Sequence, residues 1–214
     1  MALTEIRLSG FGGQGVILAG VILGRAAALY EKKNATLTES YGPEARGGAC
    51  SADLIISDNP ILYPKVEKPS ILVALSQEAY EKYEPDLGEG GVLITEADLV
   101  KPRPVKKGIR HFTVPATRIA EDLGRSIVAN IVMLGFYSAV AESVSYAALK
   151  EAVKASVPPG TEDLNLGAFQ RGYEHGLAQL GSDQLSANPC EAGQEGEPAV
   201  TPVARKRSRG RSHG

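Results

Sequence analysis

The stretch SGFGGQG, residues 9–15, stands between the segment TEIRL and the long apolar segment VILAGVILGRAAAL. It has glycine at positions 10, 12 and 15, which matches the pattern G-x-G-x-x-G. The alternating residues before it are typical of a short strand, and those after it predict a helix over 14–33 that is apolar on most sides. The stretch is therefore predicted to be a tight turn that joins the first strand to the first helix.

Strand patterns and helix patterns alternate along the rest of the chain. The run SILVAL, residues 70–75, is apolar throughout, as expected for a strand buried on both faces of a parallel sheet. Short connections between such segments predict an α/β protein with a single doubly wound, mostly parallel sheet and helices on both faces. The predicted strands are 6–9, 35–39, 52–57, 70–75, 91–95 and 109–114, and the later helices are 77–83, 116–123, 127–141, 146–156 and 164–180.

The composition changes near residue 180. From residue 181 to 214 the sequence lacks aromatic residues and any apolar period, so it cannot bury enough surface to offset the entropy of ordering. We therefore expect one folded domain, residues 1–180, and a disordered tail, residues 181–214. The last ten residues, RKRSRGRSHG, hold five cations, but neither stacking aromatics nor a folded basic face accompanies them. A solubilising tail is favoured over a nucleic-acid contact.

Overall composition excludes several classes of protein. The net charge of −2 over 214 residues indicates no polyanionic partner. The two cysteines, Cys50 and Cys190, cannot supply a disulfide framework, a zinc quartet or the four thiolates of an iron–sulfur cluster. Neither a membrane-spanning run nor a secretory signal is recognisable, so a cytoplasmic protein is expected.

The glycine turn could bind an anion. Backbone N–H groups at a helix start attract negative charge, and glycine lets a phosphate approach without an obstructing Cβ. The amide of Gln14, at the helix start, could meet the same ligand. The alternative is that a tight strand-to-helix turn requires glycine for its own geometry. The pattern by itself leaves both interpretations open.

A second unusual stretch, ESYGPEARGG at residues 39–48, follows the second predicted strand. Its Glu39 could hold the ribose hydroxyls of a dinucleotide. Arg46 could bind a phosphate or carboxylate through its planar fork of donors. The alternative is an ion pair of Arg46 with Glu44 or Glu39 that stiffens the loop.

The remaining polar candidates carry no catalytic pattern. Asn130 begins an apolar helix, where it could donate its amide to a ligand or serve as an N-cap or buried amide. The three histidines have no nucleophile that the sequence places beside them, and Cys50 is interpreted as a core thiol. No catalytic or metal-binding residue is predicted; the histidines are His111, His175 and His213.

Three segments together resemble the γ subunit of 2-oxoacid:ferredoxin oxidoreductases of the 2-oxoglutarate and pyruvate synthase type. They are SGFGGQGV at 9–16, ESYGPEARGG at 39–48 and NIVMLG at 130–135. Each motif is weak alone, but their order and spacing are specific. The resemblance extends over residues 3–180 and does not include the tail. Among these enzymes, the sequence most resembles the 2-oxoglutarate type.

The resemblance implies a subunit of an enzyme that oxidatively decarboxylates a 2-oxoacid to an acyl-CoA and CO₂ while reducing ferredoxin. Thiamine diphosphate, Mg²⁺ and the iron–sulfur clusters are implied to lie in partner subunits: α, β and, in some enzymes, a ferredoxin-like δ. The γ chain is implied to assist coenzyme A binding and assembly, with coenzyme A phosphates at the glycine turn. The residues expected to contact coenzyme A are Gly12, Gly13, Gln14, Gly15, Arg46 and Asn130.

Two alternatives stay open at this point. The chain could be a free-standing NAD(P)- or FAD-dependent oxidoreductase, although no second, substrate-bearing domain follows the last predicted strand. It could also be a non-catalytic assembly subunit whose glycine turn is only architectural. If it assembles with partners, we expect the apolar stretch MLGFYSAV, residues 133–140, and the loop of residues 41–48 to be poorly satisfied in the isolated chain and covered in the complex.

Overall fold

The computed structural model describes residues 3–41 and 48–187, with side chains through residue 181. Its elements form one six-stranded sheet with helices on both faces, which confirms the predicted fold class. In chain order they are β1 (Thr4–Phe11), α1 (Val16–Arg25), a π-helical segment (Ala26–Tyr30), β2 (Asn34–Ser40), β3 (Ala49–Ser57), β4 (Ile71–Ala74), α2 (Gln77–Tyr83), a 3₁₀ turn (Glu84–Asp86), β5 (Val92–Glu96), β6 (Arg110–Val114), α3 (Ala116–Asp122), a second 3₁₀ turn (Ser126–Val128), α4 (Ala129–Val140), α5 (Tyr146–Ser156) and α6 (Glu162–Ala187).

The strand order is β2-β3-β1-β4-β5-β6. β1, β4, β5 and β6 run parallel, whereas β3 is antiparallel to both of its neighbours, β1 and β2. The connection from β2 to β3 spans only residues 41–48, fewer than the dozen or more that a crossover between parallel strands requires. For this reason β3 returns alongside β2 in the opposite direction.

The chain changes direction across the sheet between β1 and β4. From β1 it continues to β2 and β3 on one side, and from β4 it continues to β5 and β6 on the other. In open α/β sheets such a reversal leaves a crevice outside the carboxyl ends of the two central strands, where ligands bind. The glycine turn lies at the carboxyl end of β1, beside this crevice.

The two faces of the sheet carry separate cores. On one face α1, α3, α4, α5 and α6 pack on residues such as Ile6, Val73 and Ile94. On the other face α2 packs its buried Tyr80 against Leu72 and neighbouring residues. All four residues of β4 are buried, as predicted for the SILVAL run. Ser76 caps α2 by accepting a hydrogen bond from the N–H of Ala79.

The apolar helix α4 is buried inside the chain. Met133, Phe136 and Val140 are each at most 2% exposed within this chain, and α6 packs along α4. The expectation that residues 133–140 are poorly covered without a partner subunit is therefore wrong. The pattern was ambiguous because a helix that is apolar on all sides can be buried by its own chain or by another.

Two helix ends differ by three residues or more from those predicted. The first helix becomes π-helical at Ala26 and ends at Tyr30, before residue 33. The last helix, α6, continues to Ala187, past residue 180. A helix adds one hydrogen bond per residue once it has started, so it can extend beyond the apolar contacts that predicted its end. The rest of the predicted tail, residues 188–214, lies outside the described residues.

Within residues 3–41 and 48–187, no helix combines the length and apolar character that crossing a bilayer demands.

Candidate ligand site at the glycine turn

Residues 12–15 form the predicted turn between β1 and α1. The N–H of Gln14 donates to the carbonyl oxygen of Phe11 at 3.2 Å, which closes a β-turn with Gly13 at its third position. Gly13 has a φ of 101°, and Gly15, the N-cap residue of α1, has a φ of 72°. Side chains of L residues are strained in both conformations, so two glycines are required by backbone geometry alone.

Gln14 ties this turn to the neighbouring strand. Its Nε2 donates to the carbonyl oxygen of Leu75 at 3.0 Å, just beyond the end of β4, and its Oε1 accepts the N–H of Phe11 at 2.6 Å. Both ends of the amide are therefore engaged within the protein. Gln14 still lines the cavity described below, where its contribution is to hold the turn in place.

Asn130 holds the other side of the turn. The residue is only 4% exposed, and its Nδ2 donates to the carbonyl oxygen of Gly15 at 3.3 Å. This matches the buried-amide alternative considered from the sequence. A Cβ on Gly15 would lie 2.8 Å from Cγ of Asn130 and closer still to its amide nitrogen. The start of α4 thus packs directly against the start of α1.

A cavity of about 380 Å³ opens at this point. It lies at the carboxyl ends of the parallel strands, as the reversal of the chain between β1 and β4 predicts. Its walls come from the glycine turn, the ends of β4 and β5, and the beginnings of α3, the second 3₁₀ turn and α4. The lining residues are Gly13, Gln14, Leu75, Glu96, Leu99, Ala116, Thr117, Ser126, Ile127 and Ala129.

The helix start beside this cavity is positively polarised. Among the described residues no side chain caps α1, and the first turn of α1 contains no acidic residue. The unpaired N–H groups and the positive end of the dipole of α1 are therefore not offset by its own sequence. Among the described lining residues there is no lysine or arginine. An anion here would be held mainly by backbone N–H groups.

Glu96 is a cavity residue that the sequence reasoning missed. It ends β5, is 1% exposed, and accepts three backbone hydrogen bonds. Its Oε2 accepts the N–H groups of Asp98 at 2.7 Å and Leu99 at 2.8 Å, and its Oε1 accepts that of Thr117 at 3.2 Å. The available signal was an acidic residue directly after the apolar strand GVLIT, at the edge of the sheet where ligands bind.

The structure brings most of the proposed contact residues together. Gly13 and Gln14 line the cavity, while Gly15 and Asn130 form the layer behind it. Gly12 lies exposed in the same turn. Arg46 lies outside the described residues, together with Glu44 and the rest of 42–47. Ligand contact by these residues remains a prediction.

Glu39 does not lie beside the glycine turn. It sits near the end of β2, and β3 separates β2 from β1. Its carboxylate accepts a hydrogen bond from the hydroxyl of Tyr41. In a dinucleotide-binding domain the acidic residue ends the strand adjacent to the glycine turn, so the inserted β3 removes the geometry on which the NAD(P) or FAD alternative depended.

The other titratable candidates lie away from the cavity. Burial lowers the pKa of His111, whose Nε2 is 2.9 Å from the hydroxyl oxygen of Thr95, and burial also lowers the pKa of His175. Burial raises the pKa of the Cys50 thiol, which contacts the carbonyl oxygen of Gly10. In the part of the chain that the structure describes, no group of three or more His, Cys, Asp and Glu side chains could hold a metal ion. His213 and Cys190 fall outside that part.

Comparison with known proteins assigns this architecture to one family of enzymes. Residues 5–175 match the family described as pyruvate ferredoxin/flavodoxin oxidoreductase. The 2-oxoglutarate synthase subunit KorC of Methanocaldococcus jannaschii is 56% identical over 172 residues, which cover 79% of this chain and 92% of that protein.

Solved structures show the same fold. The γ subunit of a keto/oxoacid ferredoxin oxidoreductase from Geobacter sulfurreducens is 45% identical and superposes with a TM-score of 0.76, over 83% of this chain and 98% of that one. A 2-oxoglutarate:ferredoxin oxidoreductase from Magnetococcus marinus, solved with 2-oxoglutarate, coenzyme A and succinyl-CoA, also superposes with a TM-score of 0.76. At 21% identity, over 83% of this chain and 32% of that one, the second likeness establishes the fold alone.

Proposed function

Since the chain belongs to the pyruvate ferredoxin/flavodoxin oxidoreductase family, as the γ subunit of a 2-oxoacid:ferredoxin oxidoreductase, we propose that its cavity binds part of coenzyme A in an enzyme specific for 2-oxoglutarate. The choice of 2-oxoglutarate is supported by the relative that is 56% identical, a 2-oxoglutarate synthase subunit. The products would be succinyl-CoA and CO₂, with the electrons passing to ferredoxin.

The observation that carries the coenzyme A proposal is the position of the cavity at the uncapped start of α1. Gly13 faces this cavity, and a Cβ built on it meets no described atom within 4 Å, so space for a phosphate exists over the turn. Backbone N–H groups at the start of a helix bind phosphates without needing a cationic side chain. The diphosphate of coenzyme A would therefore lie against residues 12–15.

Part of the cavity lining is apolar and exposed. Leu99 is 44% exposed and Ile127 is 78% exposed, and both line the opening. Large exposed apolar side chains beside a polar turn suit a ligand that has a charged end and a less polar arm, as coenzyme A does. Coenzyme A is larger than the cavity of about 380 Å³, so its remainder would extend along the surface or onto a partner subunit.

In this proposal the chain orients a co-substrate and carries out no bond-breaking step. Thiamine diphosphate in the partner subunits would supply the decarboxylation chemistry, and their iron–sulfur clusters would take the electrons. The residues of this chain would hold the diphosphate at the glycine turn and direct the thiol toward the partner subunits. Alignment of a reactant in this way can contribute several kcal/mol of rate enhancement.

The proposal is tested with Gly13→Val in the assembled enzyme. A branched side chain would occupy the phosphate space, so the Michaelis constant for coenzyme A should rise by about tenfold, equivalent to about 1.4 kcal/mol of binding. The half reaction without coenzyme A, 2-oxoglutarate decarboxylation with electron transfer to a dye, should change by less than about twofold because its chemistry lies in other subunits.

Gly108→Val is the matched control. Gly108 has a φ of 91°, has no described atom within 4 Å of its Cβ position, and lies before β6 at the opposite end of the sheet. The Gly108→Val substitution introduces a backbone strain similar to that of Gly13→Val, at a position that does not line the cavity. If both variants change coenzyme A kinetics equally, or if Gly13→Val impairs only the dye reaction, the turn serves folding or assembly and the proposed site is wrong.

A further inference from the structure

Glu96 is a buried carboxylate in the cavity wall, and both of its oxygens accept hydrogen bonds from backbone N–H groups. We infer, on the premise of the proposed coenzyme A site, that Glu96 is a positioning residue that keeps the wall opposite the glycine turn in its ligand-binding shape. It would act through the segments that it holds, and it would not contact the ligand itself.

One carboxylate connects two separate pieces of this wall. Oε2 accepts the N–H groups of Asp98 and Leu99, in the turn after β5, and Oε1 accepts the N–H of Thr117, in the first turn of α3. Leu99 and Thr117 both line the cavity. Loss of the Glu96 hydrogen bonds would therefore separate the turn after β5 and the start of α3 from each other and from the end of β5.

Helix capping alone does not require a carboxylate at this place. α2 and α5 are capped by serines directly before them, Ser76 and Ser145, whose hydroxyl oxygens accept local N–H groups. α3 has Pro115 at its N-cap and no side-chain cap of its own. Glu96 reaches this helix start from another strand, so the cap also determines how far α3 lies from β5.

A second link joins the same two pieces from the solvent side. Arg118, on α3, donates to both carboxylate oxygens of Asp98, at 2.9 and 2.6 Å. Its side chain is 64% exposed, and ion pairs in solvent contribute little. Glu96 is fully enclosed, and breaking its hydrogen bonds would leave buried N–H groups without partners. The inner link is therefore the one expected to control the wall.

Considerations of charge and of geometry predict opposite effects on coenzyme A binding when this carboxylate is removed. Loss of a negative charge near the cavity would favour an anionic ligand, whereas loss of the wall would weaken binding. Three backbone N–H groups already compensate the charge of Glu96, so the geometric effect should dominate. The sign of the change in coenzyme A binding thus separates the two effects.

The test is Glu96→Gln in the assembled enzyme. An amide cannot accept all three N–H groups because one of its two terminal atoms is itself a donor. The Michaelis constant for coenzyme A should rise by about tenfold, with a smaller change in turnover at saturating coenzyme A. Hydrogen exchange should accelerate at the amides of Asp98, Leu99 and Thr117, a readout that does not depend on coenzyme A.

Glu31→Gln is the matched control. Glu31 also accepts a backbone N–H at a helix start, that of Ser145 at 2.6 Å, and it lies outside the cavity lining. This variant should leave the Michaelis constant for coenzyme A unchanged. An equal rise in both variants would overturn the inference, because a general loss of stability would then explain it.

Other outcomes are equally decisive. If exchange accelerates in Glu96→Gln while coenzyme A binding is unchanged or tighter, Glu96 has no positioning role. If the wild-type complex fails to bind coenzyme A, the proposed function fails separately. Should Glu96→Gln not fold, Glu96→Asp keeps the carboxylate, but its side chain is one methylene shorter and cannot reach the N–H groups of Asp98 and Leu99 on one side and that of Thr117 on the other. This variant should raise the same Michaelis constant, and an unchanged value would overturn the inference.

Discussion

Gly15 is subject to two independent constraints. Its φ of 72° falls in the left-handed region, and the side chain of Asn130 occupies the space where a Cβ would project. Asn130 cannot simply rotate away, because its own Cβ would also be only 3.2 Å from the new atom. The third glycine of the G-x-G-x-x-G motif is therefore required by the close approach of α4 to α1, in addition to any role in binding.

Gly15→Ala should lower the free energy of unfolding by about 2–4 kcal/mol, combining backbone strain with displacement of Asn130. Gly124→Ala is the control, since Gly124 has a φ of 84° and no described atom within 4 Å of its Cβ position. That variant should cost only about 1–2 kcal/mol, the strain of the left-handed conformation. Urea denaturation of the full-length chain measures both. Equal losses would show that Asn130 does not restrict position 15.

At the scale of elements, the crossing of α4 and α6 is built on paired glycines. A Cβ on Gly135 would lie 2.8 Å from the carbonyl carbon of Phe169, and a Cβ on Gly172 would lie 2.8 Å from that of Val132. The two helices therefore touch through their backbones. This contact explains the glycine of the NIVMLG motif by packing within the chain, without a ligand or a partner subunit.

Gly172→Ala should destabilise the chain by at least about 3 kcal/mol, because the obstructing atoms belong to the backbone of α4 and cannot change rotamer. Gly167, on the same helix, has no described atom within 4 Å of its Cβ position. Gly167→Ala should therefore be neutral or stabilising by up to about 1 kcal/mol through helix propensity. Thermal unfolding of both variants provides the comparison, and a Gly172→Ala protein as stable as wild type would refute the backbone contact.

At the scale of the whole molecule, the region that matches the family and the last described helix end at nearby positions in the sequence. The matched region stops at residue 175 and the last helix ends at Ala187. Residues 188–214 contain no aromatic residue and no apolar period. The residues that match the family therefore end before this segment begins.

Deletion of residues 188–214 should leave the melting temperature within about 2 °C and should preserve assembly with the partner subunits, since a segment without apolar residues at a regular spacing cannot dock stably on a core. Co-purification of the truncated chain with the other subunits of the oxidoreductase, and the Michaelis constant for coenzyme A, measure the outcome. Loss of assembly or a larger drop in melting temperature would assign the segment a structural role.

Local features of the fold were predictable from residues near one another in the chain. The strand, glycine turn and helix of residues 4–30, the buried strand β4 and the cap at Ser76 depend on the spacing of apolar residues and on short-range hydrogen bonds. The position of the turn at the carboxyl end of a parallel strand followed from the same pattern. The presence of only two cysteines likewise argued against an iron–sulfur cluster in this chain.

Only the tertiary structure decided what the polar residues contact. Asn130 meets Gly15 across 115 positions, Gln14 meets Leu75 across 61, and Glu96 meets Thr117 across 21. It likewise decided that β3 enters between β1 and β2 and that α6 packs along α4. Backbone conformation is governed by near neighbours in the sequence, whereas the partner of a buried amide or carboxylate depends on how distant elements pack. The sequence therefore determined the elements and the glycine turn, and the packing of those elements determined the wall of the cavity.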